Sequence, residues 1–93
     1  MTREETVRRY YELVDAGEYE QLVSLFDPDV VYERPGQTAI TGRSALRAFY
    51  EDGRPLSDGS HELHAVVPDG DTVAVRGTFS GRQDGETVSF GFA

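Results

Sequence analysis

Cysteine, lysine, tryptophan and asparagine are all absent from this 93-residue chain. Without cysteine there is no disulfide frame and no thiolate chemistry. Without lysine, all nine bases are arginine, set against seventeen acids for a net charge of −8. Such a chain repels nucleic-acid phosphates, whose binding rests on clustered Lys and Arg. Anionic membrane surfaces are disfavoured for the same reason. No apolar run approaches the length of a membrane span, and Met1-Thr2-Arg3-Glu4-Glu5 lacks the apolar stretch of a signal peptide. The expected location is the cytoplasm. Two readings of the charge are open. A salt-rich cytosol would favour abundant acid, because screening shortens the reach of self-repulsion. A mesophilic acidic protein from a GC-rich genome that prefers Arg codons gives the same counts. The length fits a single domain, residues 1–93. Size scaling gives it roughly 5,000 Å² of folded surface against about 15,000 Å² unfolded, so its core is modest.

No repeat, low-complexity tract or linker interrupts the chain. Thr2 and Glu5 have capping-box spacing. Behind them Val7, Tyr10, Tyr11 and Val14 share one helical face, and Gly17 stops the helix. A shorter helix carries Tyr19, Leu22, Val23 and Phe26 and ends at Asp27-Pro28-Asp29. Residues 30–34 read as a strand stopped by Pro35-Gly36, with a brief strand expected around Ala39-Ile40. Thr41 or Ser44 would cap a third helix bearing Leu46, Phe49 and Tyr50, ended by Gly53 and Pro55. Residues 54–59 read as a loop. The period then becomes two. His61, Leu63, Ala65 and Val67 would form one face, followed by a turn at residues 68–71. Val73, Val75, Gly77 and Phe79 repeat the pattern, then a turn at 83–85, then Val88, Phe90 and Phe92. The layout predicts an α+β fold, three N-terminal helices packed on the apolar face of an antiparallel meander. The last strand runs to Ala93 without a turn or cap. That fits a fragment, or a sheet that another chain completes.

The order of elements and several local stretches resemble the SnoaL-like members of the nuclear transport factor 2-like superfamily, which includes ketosteroid isomerases. The stretches are residues 7–11, 15–18, 22–30 and 42–50, with residues 65–92 fitting the later strands. The resemblance implies a cone-like roll: a curved sheet wrapped round helices, with an apolar pocket at one end. It also implies a further central strand after residue 93, so the chain reads as C-terminally shortened and its first strand as short of a neighbour. In ketosteroid isomerases the resemblance points to a first-helix tyrosine, an aspartate base just before a proline, and a later protonated acid. Tyr10 matches the tyrosine. Arg34 stands in place of the aspartate, and the later acid would fall at or beyond Ala93. Glu33 is adjacent but points to the other face of a strand. Ketosteroid isomerisation by that mechanism is therefore not expected.

Each candidate residue has two readings. Tyr10 is an oxygen-binding donor, or a core tyrosine whose hydroxyl finds a local partner. Arg34 binds a carboxylate or enolate, or pairs with Glu33. His61 is a general base, since histidine changes charge near neutral pH, or it sits satisfied at the core or rim. His64 reads as solvent-facing or at a dimer interface. His61 and His64, three apart on a strand, fall on opposite faces, so no metal and no cofactor is expected. Tyr11 and Tyr50 read as core or pocket wall. The expected pocket lining is Val14, Phe26, Tyr32, Phe49, Tyr50, Leu63, Val75 and Phe90. The mildly polar outer face of Thr72, Ala74, Thr78 and Ser80 suits a homodimer. The functional expectation is a small apolar ligand held in the pocket, with proton transfer, isomerisation or hydration on a carbonyl compound by Tyr10, Arg34 and His61. The alternatives are a non-catalytic ligand-binding or dimerisation module, and a piece of a longer active protein.

Overall fold

The structure is a computed structural model that describes residues 2–34, 36–53 and 56–93. Helix α1 (Arg3–Ala16) starts at Thr2, whose Oγ1 accepts the Glu5 N–H at 3.1 Å while Glu5 takes back the Thr2 N–H. This reciprocal cap satisfies two of the helix's orphan donors. Gly17 caps the far end on the carbonyls of Leu13 and Val14. Helix α2 (Tyr19–Ser24) is shorter than its sequence pattern. The N–H groups of Leu25 and Phe26 bond three residues back, and Asp27 Oδ1 accepts the Asp29 N–H at 2.8 Å, so the helix closes before Phe26. Phe26 still packs against the core.

Strand β1 (Val31–Tyr32) pairs antiparallel with β2 (Ile40–Thr41). It is shorter than the expected residues 30–34, because the Arg34 carbonyl turns to accept the Gln37 N–H at 3.1 Å. Helix α3 (Arg43–Ala48) is capped by neither Thr41 nor Ser44. Its N-cap is Gly42, without a side-chain bond. The chain then loosens into a π-helical turn, Phe49–Gly53, which carries the buried Tyr50. Such turns are rare and often accompany functional sites.

Strands β3 (Leu56–Asp69), β4 (Thr72–Gln83) and β5 (Glu86–Phe92) form an antiparallel sheet in that order. Part of the expected 54–59 loop is strand from Leu56 onward, and residues 54 and 55 lie outside the described residues. Asp69 pairs with Thr72, so Pro68 and Asp69 belong to the strand and only Gly70-Asp71 turn. Proline is tolerated there because β3 is an edge strand. The second turn is Asp84-Gly85, both at positive φ, the two-residue hairpin that matches strand twist.

One irregularity changes which residues face inward. His61 pairs with Phe79 and Leu63 with Gly77, but Ala65 pairs with Arg76 and Val66 with Val75. His64 is the extra residue of a β-bulge, and it shifts the alternation by one. Val66 therefore takes the inward phase expected of Ala65 and Val67, and Val67 is 55% exposed. At the centre of the inner face, Gly77 leaves room for the Phe92 ring. A Cβ there would fall 2.8 Å from Phe92 Cζ and inside contact distance of the Glu62 carbonyl.

The fold is α+β, with helices and sheet sharing one apolar interior. Leu13, Val14, Leu22, Val23, Leu46 and Tyr50 form the helical core, and Phe79 is buried on the sheet side. Among the described residues, no helix is long and apolar enough to cross a membrane.

Candidate functional site

A cavity of about 290 Å³ lies where α1, the end of β1, the π-helical turn and the sheet meet. Helix α1 contributes Tyr10, Tyr11 and Val14, three positions on one helical face. The end of β1 adds Tyr32, Glu33 and Arg34, and the π-helical turn adds Tyr50. The sheet adds His61, Phe79, Phe90 and Phe92. A second cavity of about 330 Å³ adjoins it, sharing Tyr10, Tyr11 and Tyr32. Thr6, Val7, Leu25, Phe26, Val73 and Val75 complete that more apolar space.

Three hydroxyls meet on one wall. Tyr10 and Tyr50 are hydrogen-bonded through their hydroxyl oxygens, and Tyr32 also bonds to Tyr50. Burial, reinforced by Tyr10 and Tyr32, holds the Tyr50 phenol protonated far above its ordinary range. Burial also raises Tyr11, with Tyr32 adding to it. Tyr50 is thus a neutral O–H dipole, held in place by Tyr10.

Another part of the lining carries His61, which is paired with Asp15. Asp15, in the last turn of α1, takes the His61 backbone N–H at 2.9 Å on Oδ2 and lies 2.6 Å from His61 Nδ1 through Oδ1. An ionised carboxylate only accepts, so this contact makes Nδ1 the protonated nitrogen. Nε2 is then the basic one, with no protein partner among the described residues. The ring is confined by Tyr11, Phe79 and Phe92 at centroid distances of 5.0, 4.9 and 5.5 Å. A carboxylate anchor and an aromatic collar fix the tautomer and the plane of the imidazole.

Arg34 lies with its guanidinium carbon 4.5 Å from the Phe49 ring centroid. Its Nη2 reaches the Thr38 carbonyl at 3.4 Å, and its Nε is buried without an acceptor. It forms no ion pair with Glu33, which is exposed, so the pairing expected between these neighbours is not made.

The structure therefore brings Tyr10, Arg34 and His61 to one cavity. Of the expected lining, Val14, Tyr32, Tyr50 and Phe90 belong to it, while Phe26 and Val75 line the adjoining space. Two assignments are corrected. Phe49 lines neither cavity because it underlies Arg34. Leu63 faces a shallow cleft beyond His61, shared with Asp15 and Glu12. His64 is exposed and bonds Thr78 Oγ1 at 2.9 Å through Nε2. Among the described residues, no three His, Cys, Asp or Glu are grouped to hold a metal ion. Sequence reasoning missed Asp15 and the hydrogen-bonding role of Tyr50. A faint signal existed for Asp15: a carboxylate in the last turn of a helix opposes the helix dipole and calls for another reason to be there.

Comparison with known proteins gives a consistent family. A profile of the SnoaL-like domain matches residues 7–93. An LEH-like epoxide hydrolase of M. tuberculosis superposes with a TM-score of 0.80 at 17% identity, over 94% of this chain and 65% of that one. A nuclear transport factor 2-like protein of unknown function from Exiguobacterium sp. 255-15 gives 0.77 at 27% identity, covering 92% and 80%. A proposed polyketide cyclase of Sinorhizobium meliloti gives 0.76 at 26%, covering 94% and 79%. The chain thus spans just under two-thirds of the first of these structures and about four-fifths of the other two.

Proposed function

The chain belongs to the SnoaL-like domain family, and we propose that it uses its aromatic cavity for cofactor-free general acid–base chemistry on an apolar carbonyl compound. One observation carries this reading: the Tyr10 hydroxyl, backed by Tyr50, and the His61 ring, backed by Asp15, line the same cavity. In the proposed step, His61 Nε2 takes a proton from the carbon next to the substrate carbonyl. The C–H electron pair moves into the new carbon–carbon double bond, and the carbonyl π pair moves to oxygen. The Tyr10 O–H donates to that oxygen as its charge grows. Return of the proton from His61 to another carbon completes an isomerisation. Attack of the enolate on a second carbonyl would instead close a ring. The likeness to a proposed polyketide cyclase is in keeping with enolate chemistry.

The test is proton exchange. Cyclic ketones in D₂O are followed by NMR for deuterium uptake next to the carbonyl. Wild-type protein should accelerate exchange, while His61→Gln and Tyr10→Phe should not. A second reading, a ligand-binding module without catalysis, is favoured by Arg34 standing where the family's isomerases keep their base. It would be supported by ligand binding together with an exchange rate no faster than buffer.

A further inference from the structure

Apart from the exposed Arg76 and Arg82, the described arginines other than Arg34 fall into two groups. Arg3, Arg8, Arg9 and Arg47 lie within 4 Å of carboxylates, all at exposed positions. Arg43 places two donors on the Phe26 carbonyl. Arg34 differs from both. It lines the aromatic cavity, its Nε–H is buried without an acceptor, and its one hydrogen bond among the described residues is long. Removing a guanidinium from water is costly unless it is paired. The Phe49 ring face offsets part of that cost. Glu33 in the cavity lining and Asp15 behind His61 leave the rest outstanding. Asp15 is committed to His61, and Glu33 is exposed and makes no ion pair. Among the described residues, no acid forms an ion pair with this cavity arginine.

We infer that the cavity takes an apolar molecule bearing a carboxylate, and that Arg34 is the residue that selects it. The inference rests on reading the cavity as a small-molecule site, and it adds the substrate's charge. A planar guanidinium matches a carboxylate edge to edge, which a point charge does not. The aromatic wall of Tyr11, Phe79, Phe90 and Phe92 suits a flat hydrocarbon body. The net charge of −8 opposes the approach of multiply charged anions more than that of a single carboxylate. His61 does not supply the same selection, because Asp15 already compensates it whenever it is protonated.

The test is calorimetric binding of 2-naphthoate and its neutral counterpart 2-naphthamide. Wild-type protein should bind the carboxylate roughly tenfold or more tightly than the amide, the strength of a charge-assisted hydrogen bond. Arg34→Gln should erase that ratio and leave amide binding in place. Arg34→Lys should keep part of it, and Arg3→Gln, at an exposed arginine outside the cavity, should keep all of it. The wild-type ratio should also shrink with added salt, which tests the charge without any substitution. Equal binding of the two probes, or a preference that survives Arg34→Gln, overturns the assignment while the cavity reading stands. Binding of neither probe overturns both. Carboxylate-selective binding without any proton exchange overturns the catalytic reading alone.

Discussion

The two walls of the cavity are built on different principles. On the tyrosine wall, Tyr10 and Tyr50 bond to each other with Tyr32 beside them, and burial keeps Tyr50 protonated. On the imidazole wall, Asp15 holds one ring nitrogen of His61 and leaves the other without a protein partner among the described residues. A group whose hydrogen bonds are met by neighbours can orient and donate, but it changes little with pH. A group with one nitrogen in reserve can take a proton. The division of labour between a fixed oxygen site and a mobile proton follows from that difference.

The largest expected effect breaks the imidazole wall. His61→Gln should lower proton exchange by roughly 10²–10⁴-fold, the contribution of a positioned base. Asp15→Asn should lower it less and should alter the pH profile, because an amide can favour the other tautomer. Equal rates in wild type and His61→Gln would remove the base from the comparison. Next comes the seat of Phe92. Gly77→Ala puts a Cβ against the Glu62 carbonyl and the Phe92 ring, and backbone cannot yield as a side chain can. Overpacking of this kind costs roughly 1–3 kcal/mol. It should also loosen the ring beside His61, visible as a lower midpoint in urea together with reduced exchange.

On the tyrosine wall, Tyr50→Phe removes the hydroxyl that holds Tyr10, at about 1.5 kcal/mol. It also alters the alkaline limb of stability. A folded pKa raised above the unfolded value near 10 gives a contribution that is complete below about pH 10 and lost as pH rises from there. One such group makes stability fall by about 1.4 kcal/mol per pH unit in that range. Urea titrations above pH 10 should therefore be shallower in pH for Tyr50→Phe than for wild type. An unchanged alkaline slope would show that the phenol is not held as the structure places it.

Much of this was readable from the chain, and the rest had physical reasons for being hidden. The first helix could be read to the residue, because the Thr2–Glu5 cap and the Gly17 stop are local chemistry. The meander was readable from its period of two except in β3 after His64, where an inserted residue shifts the phase without any marker in residue type. Tyr10, Arg34 and His61 were identifiable as chemical groups, but their convergence depends on three segments far apart in sequence. Asp15 was harder still. It meets His61 across 46 positions, and its one local signal, a carboxylate in the last turn of a helix, does not name a partner. The hydrogen bond of Tyr50 was hidden because its partner Tyr10 lies 40 positions away in sequence.

Helix α1 joins the two walls, carrying Tyr10 to one and Asp15 to the other. The smallest predicted effect asks whether they depend on it equally along its length. Thr2 lies two turns before Tyr10 and bonds only within the first turn, to Glu5 and Thr6. Thr2→Ala should cost about 1 kcal/mol of stability through loss of the cap. Because fraying at an N-terminus fades within a turn or so, the proton-exchange rate well below the unfolding midpoint should not change. If the rate falls with the cap intact elsewhere, the strain must travel along α1. Comparing Tyr10→Phe and Asp15→Asn in the Thr2→Ala background then shows which wall receives it. The wall whose substitution no longer adds to the loss is the one that moved.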